Sequence, residues 1–168
     1  IRAPRSTGSI LKPFLFNWMI EQGELMSDEL IPDVPTTLGG FRPENFHKSF
    51  DGAVPASSAL IRSLNIPFAL LLQRYGVERF LYQLQRLNLR HMSQSSGHYG
   101  LSLILGGAEC SLWDYAQSYG EMCLSAMDQQ KNYQLHYEAG KRNTKKYIQH
   151  FHPGASLITL KHLQKLVA

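Results

Sequence analysis

Ser9 and Lys12 lie three residues apart in the run Arg5-Ser6-Thr7-Gly8-Ser9-Ile10-Leu11-Lys12-Pro13-Phe14, and together they could perform nucleophilic chemistry. On a helix, positions i and i+3 share a face, so the hydroxyl and the amine can meet. A serine at a helix start lies among unpaired backbone N–H groups and the positive end of the dipole. That setting suits a nucleophile whose attack creates an oxyanion. Lysine can act as base there, because partial burial and nearby positive potential favour its neutral form. Ser63-Leu64-Asn65 supplies a second hydroxyl and a carboxamide later in the chain. Each residue also has a simpler reading. Ser9 is a good helix cap, Lys12 a solvated charge, and Ser63 and Asn65 suit the start of a helix at Pro67. A single Ser-x-x-Lys spacing arises by chance about once in a chain of this length. The surrounding residues therefore carry the weight.

Those residues form an extended pattern. The segment Arg5–Phe14 resembles the nucleophile segment of bifunctional class A penicillin-binding proteins. Arg42-Pro43-Glu44-Asn45-Phe46 and Phe50-Asp51-Gly52-Ala53-Val54-Pro55-Ala56-Ser57 are similar to the stretch leading into that family's second motif, and Ser63-Leu64-Asn65-Ile66-Pro67 to the motif itself. His98-Tyr99-Gly100-Leu101-Ser102-Leu103-Ile104-Leu105-Gly106-Gly107-Ala108-Glu109 resembles the 1C-type branch. The likeness covers most of residues 1–126, thins between 127 and 151, and returns from Pro153-Gly154-Ala155. The family's third motif, a Lys-Thr-Gly strand, has no counterpart in these 168 residues.

The resemblance implies a serine D,D-transpeptidase with Ser9 as nucleophile, Lys12 as its base, Ser63 as proton relay, and Asn65 hydrogen-bonded to Lys12 or the substrate amide. Its partners would be peptidoglycan stem peptides and β-lactam antibiotics, with no cofactor or metal. The parent would be membrane-anchored and work at the periplasmic face of the bacterial inner membrane. Residues 1–168 are expected to be part of a transpeptidase domain, starting just before the nucleophile and ending before the Lys-Thr-Gly strand, and to be inactive alone. A serine β-lactamase or β-lactam sensor is the alternative within the same chemistry. It is disfavoured because Leu64 stands where class A lactamases carry Asp and no group is evident to activate deacylating water. A non-catalytic interaction module is the alternative from another class.

Composition agrees with an ordinary globular domain: 43% of residues are hydrophobic and 18% charged. The net charge of +4 is concentrated in residues 131–168, which hold seven Lys/Arg and one acid and leave the first 130 residues at −2. Lys141-Arg142-Asn143-Thr144-Lys145-Lys146 could meet phosphates or anionic lipid. Few aromatics are interleaved to stack on bases, so a solvated loop is the simpler reading and nucleic acid is not an expected partner. No apolar run approaches the ~20 residues of a membrane span. Cys110 and Cys123, in apolar helical surroundings, read as core residues. His150-x-His152 reads as coincidence, Glu109 as structural, and Gly106-Gly107 as a tight turn, since no Lys-Ser/Thr pair follows it.

The elements that must position the chemistry are mainly helical, the helical part of the α+β transpeptidase fold. A helix over 7–22 should carry Ser9 and Lys12 in its first turns, turn Phe14, Leu15, Trp18 and Met19 inward, and stop at Gly23. Without the family's sheet, its Phe14–Trp18 flank is expected to be bare. Residues 24–55, punctuated by Pro and Gly, form a long functional loop or short strands. Ser57 or Ser58 should cap a helix to Leu64, and a second helix from the Asn65–Pro67 break should end at Gly76. Further helices are expected over 77–88, with Phe80, Leu81, Leu84 and Leu87 inward, and from the Ser111 capping box to about Ala126. A polar loop spans 90–100 and a polar connection 127–146. A short strand at 147–151 precedes a last helix, 156–167, with Leu157, Leu160, Leu163 and Val167 on one side.

Overall fold

The computed structural model describes residues 3–89, 91–127 and 150–167. Among these, helices α1 (Lys12–Glu21), α2 (Ala56–Ile61), α3 (Asn65–Tyr75), α4 (Val77–Arg86), α5 (Ser96–Tyr99), α6 (Leu112–Ala126) and α7 (Pro153–Leu163) dominate. Beside them lie two antiparallel ribbons, β1 (Arg5–Ser6) with β4 (Glu109–Cys110) and β2 (Leu30–Asp33) with β3 (Gly52–Pro55), and two 3-10 helices, Gly100–Leu105 and Gln164–Val167. The mainly helical architecture agrees with the expectation. No helix among the described residues is long and apolar enough to cross a membrane.

α1 is the centre. Every residue from Lys12 to Met19 is buried, so the helix has no solvent face and packs against α2, α3 and α7. It begins at Lys12 and not at Thr7, because the preceding chain has other partners. β1 is held by β4, the Thr7 N–H donates to the Ala108 carbonyl (2.9 Å), and residues 7–11 form tight turns with Gly8 at φ +51°. The end is a Schellman motif: Gly23, at φ +71°, donates to Ile20 O, and Glu24 N–H reaches back to Met19 O.

The bare flank expected on α1 is absent. The Phe151 ring stacks on Trp18 with centroids 5.6 Å apart and lies 5.7 Å from Phe14, while Tyr119 of α6 lies 4.8 Å from Phe14. Trp18 Nε1 donates to the His150 carbonyl (3.1 Å) and Ser125 Oγ to the Phe151 carbonyl (2.8 Å). These side-chain bonds satisfy the backbone there, so His150 and Phe151 do not form the expected strand; residues 147–149 lie outside the described residues. The polar connection at 128–146, including the basic run, also lies outside them.

Other boundaries shift for local reasons. β2 and β3 pair within the 24–55 stretch, Leu30 opposite Pro55 and Asp33 opposite Gly52. α2 starts at Ala56, with Pro55 at its N-cap and no side-chain cap from Ser57 or Ser58. α3 ends at Gly76 (φ +95°), and Ser111 Oγ caps α6 by accepting from Asp114 N–H. Ser95 caps the one-turn α5 inside the expected 90–100 loop. α7 starts early, at Pro153, where His152 Nδ1 accepts from Gly154 N–H. Its buried face is Ala155, Ser156 and Thr159, whereas Leu157 is 43% exposed. The small residues let α7 approach α1, where Asn17 Nδ2 lies 3.3 Å from Ser156 Oγ. Cys110 is buried in β4, not in a helix, and Cys123 is exposed on α6.

The Gly106–Gly107 turn presses against the segment before α1. Ser6 Oγ donates to Gly106 O (2.8 Å), Gly106 has φ +106°, and a Cβ there would fall 2.8 Å from Ser6 Oγ and 3.0 Å from Gly8 Cα. Gly106→Ala should therefore destabilise the fold by about 2–4 kcal/mol, combining left-handed strain with overpacking. Gly97→Ala, where a Cβ meets nothing closer than 4.0 Å, should change stability by less than about 1 kcal/mol. Thermal unfolding of the two variants checks the contrast; equal melting temperatures would remove the close approach as an explanation.

Candidate active site

Three helices meet around one amine. Lys12 opens α1 with its side chain directed at the junction of α2 and α3, and it is only 1% exposed. Its Nζ donates to Ser63 O (2.7 Å), Ser63 Oγ (3.2 Å) and Asn65 Oδ1 (2.7 Å). It also lies 5.6 Å from the centroid of the Phe68 ring. Burial penalises the ammonium form, and the Lys12 pKa falls to about 7 from an ordinary 10.5. Near neutrality a large share of the amine is unprotonated, with a free lone pair.

Ser63 owes its position to the way α2 ends. Ser63 N–H donates to Leu60 O (3.0 Å) and Leu64 N–H to Ala59 O (2.9 Å), the same Schellman arrangement that ends α1. Glycine is the usual occupant of the left-handed position in this motif; here Ser63 holds it, at φ +54°. This conformation turns both the carbonyl and the hydroxyl of Ser63 toward Lys12.

Asn65 is the first residue of α3 and is gripped from two sides. Its Nδ2 donates to the Glu44 carbonyl (2.7 Å), leaving Oδ1 for Lys12, and its backbone N–H donates to Asn45 Oδ1 (2.9 Å). A flipped amide would set donor against donor at Lys12 and acceptor against acceptor at Glu44.

Ser9 lies in the turn before α1, two residues ahead of the capping position, which Leu11 holds, and is exposed. Its carbonyl accepts from Lys12 N–H (3.1 Å). Within the described residues, neither its hydroxyl nor its N–H is hydrogen-bonded, so both remain available to a reacting group. Lys12, Ser63 and Asn65 are thus in direct contact, while Ser9 joins them through the backbone of its turn.

Two contributors carry no sequence signal of their own. Asn45 lies within the Arg42–Phe46 run, but nothing in its spacing points to Asn65. Tyr119 Oη donates to the Ile10 carbonyl (2.7 Å), next to Ser9. Pro13 has no N–H to close a turn onto that carbonyl, and Phe14 N–H goes to Leu11 O instead, so α6 supplies the missing donor. A proline after Lys12 is a cue that an upstream carbonyl needs a partner, though not which residue supplies it.

An exposed hydroxyl with an unbonded N–H beside it, and a buried amine three residues on, is an arrangement that could support acyl transfer. Comparison with known proteins agrees. Residues 2–167 match the family model for the penicillin binding protein transpeptidase domain. The chain is 40% identical to penicillin-binding protein 1C of Escherichia coli over 119 residues, covering 71% of this chain and 16% of that protein. It is 32% identical to penicillin-binding protein 1A of Pseudomonas aeruginosa over 85 residues, 47% of this chain and 10% of that protein. The chain thus spans only a small part of the length of these relatives. Among solved structures, a peptidoglycan glycosyltransferase from Burkholderia ambifaria aligns over 100% of this chain and 58% of its own, with a TM-score of 0.78 at 14% identity. The PonA1 protein of Mycobacterium tuberculosis, in complex with penicillin V, aligns over 74% and 36% with a TM-score of 0.64 at 20% identity. Fold, motif context and a family match over nearly every residue agree that this chain belongs to the penicillin-binding-protein transpeptidase family.

Proposed function

We propose that this chain carries the nucleophile and second motif of a peptidoglycan D,D-transpeptidase, acting in cell-wall synthesis at the periplasmic face of the bacterial inner membrane. The observation that supports this most is the buried Lys12 amine, held by Ser63 and Asn65 and depressed to a pKa of about 7, on the turn of the exposed Ser9. Ser9 Oγ attacks the penultimate D-alanine carbonyl of a stem peptide while neutral Lys12 takes its proton. The Ser9 N–H donates to the oxyanion. Collapse breaks the peptide bond, and terminal D-alanine leaves as Ser63 passes a proton to its amine and takes in turn the proton that Lys12 gained from Ser9. An amine of a second strand then attacks the Ser9 ester and regenerates the hydroxyl. A β-lactam would acylate the same serine through its ring amide. In this reading the Lys-Thr-Gly strand, with the second oxyanion donor and the carboxylate contact, belongs to the same domain outside residues 1–168.

Fluorescent penicillin should label the full-length protein at Ser9, and Ser9→Ala or Lys12→Arg should abolish labelling, since a guanidinium does not give up its proton. Persistent labelling of the Ser9 variant would place the nucleophile elsewhere. The 168-residue chain alone should form no stable adduct, because losing one oxyanion donor costs ~10²–10³ in rate. Intact-mass measurement after long exposure to excess penicillin reads this directly.

The acylation rate should rise with pH through about 7, the Lys12 pKa, as the neutral amine accumulates. A rate still climbing between pH 9 and 11 would mean that the base titrates in the range of an ordinary lysine and that burial does not depress Lys12 as described. At Ser63, Gly should give a fold about 1 kcal/mol more stable than Ala, because the position is left-handed. Both variants should acylate slowly. Thermal unfolding alongside acylation kinetics separates the two effects.

A further inference from the structure

Leu64 is the N-cap of α3 and has no side chain able to bond the helix's first N–H groups. That role is filled from outside the helix by Asn45, twenty residues earlier. Its Oδ1 accepts from both Asn65 N–H (2.9 Å) and Ile66 N–H (3.3 Å). Its Nδ2 donates to Asp33 Oδ1 (2.7 Å) and to Ser49 O (3.0 Å), so its amide is fully engaged. Asp33, the last residue of β2, is 0% exposed, and its second oxygen accepts from Asp51 N–H (3.1 Å). A buried carboxylate with two donors is thus set behind an asparagine whose oxygen meets the residue in contact with Lys12.

The polarity of this chain of bonds is fixed at each link. Both Asp33 oxygens accept from N–H groups, Oδ1 from Asn45 Nδ2 and Oδ2 from Asp51 N–H, so the Asn45 amide turns its Nδ2 toward Asp33 and its Oδ1 toward α3. That orientation holds the Asn65 backbone, and the adjacent Glu44 carbonyl takes Asn65 Nδ2. Asn65 Oδ1 is left facing the lysine.

We propose that Asp33 and Asn45 are positioning residues for acyl transfer: Asp33 orients the Asn45 amide, and Asn45 fixes Asn65 so that its oxygen meets the Lys12 amine. Their part in catalysis rests on the transpeptidase reading; their hold on Asn65 does not. Asn45→Asp sets a carboxylate against the Asp33 carboxylate, and Asp33→Asn puts a donor against one of two donors. Asp33→Asn combined with Asn45→Asp restores a donor–acceptor pair between the two, in the opposite sense, at unchanged net charge. It also keeps oxygens for Asn65 N–H, Ile66 N–H and Asp51 N–H, while Ser49 O loses its donor.

Two measurements on the wild type, each single variant and the double variant test this. Amide hydrogen exchange on the chain should speed by at least about tenfold at Asn65 and Ile66 in each single variant, with Leu84 of α4 unchanged, and should slow again in the double. The rate of penicillin acylation of the full-length protein should fall ~10–100-fold in each single variant and recover most of that loss in the double. Were a single variant to unfold outright, recovery of fold and rate in the double would still support the pairing. Singles that leave exchange and rate unchanged would overturn the proposal, as would a double no better than the worse single. A wild type that penicillin does not acylate, with the exchange pattern and its rescue intact, would overturn the transpeptidase reading and leave Asp33 and Asn45 as the holders of Asn65.

Discussion

The structure depends on keeping one amine out of water. Lys12 is 1% exposed, and an ammonium buried that far is stable only while its protons meet acceptors. Ser63 O, Ser63 Oγ and Asn65 Oδ1 provide them, and the remaining cost appears as a pKa near 7. Because α1 is buried on every side from Lys12 to Met19, the lysine stem has no path to solvent along its own helix. The packing of Phe151, Tyr119 and Phe80 around Phe14 and Trp18 therefore belongs to the electrostatics of the site as much as to the core.

The end of α2 shows how backbone strain enters the same arrangement. α1 and α2 stop with the same hydrogen-bond pattern, yet α1 uses Gly23 at the left-handed position and α2 uses Ser63. A side chain there costs about 1 kcal/mol relative to glycine. The return is a hydroxyl within reach of Lys12, beside the carbonyl that the turn already directs there. A glycine would hold the turn and lose the hydroxyl, which is the pattern expected where stability yields to chemistry.

The turn that presents Ser9 is held from three directions. β4 pairs with β1 upstream, the Gly106 turn takes the Ser6 hydroxyl, and Tyr119 binds the Ile10 carbonyl that Pro13 leaves without a backbone donor. With its surroundings fixed, Ser9 can remain exposed with its own hydroxyl and N–H uncommitted. Rigid neighbours and a free reacting group are what preorganised acyl transfer requires.

Helical periodicity and punctuation determined much of the fold. Pro67 and Gly76 bracket most of α3, the Ser111 box opens α6, and the apolar rhythm of α4 marks Phe80, Leu81 and Leu84, because these signals act over a few residues. The meeting of Lys12 with Ser63 and Asn65 was legible from the residues around them, whereas the Ser9 hydroxyl, expected from its spacing to face the Lys12 amine, makes no hydrogen bond to it among the described residues. The start of α1 at Lys12 was not, since it is set by β4 and Ala108, a hundred residues away. Nor was the cover on Trp18, which comes from Phe151, or the buried face of α7, where Ser156 and Thr159 displace Leu157 because close approach to Asn17 favours small side chains. Asn45 and Asp33 were silent for the same reason. A cap donated from a distant loop leaves no local pattern, and only folding brings an asparagine, a carboxylate and the first N–H groups of α3 within hydrogen-bond reach.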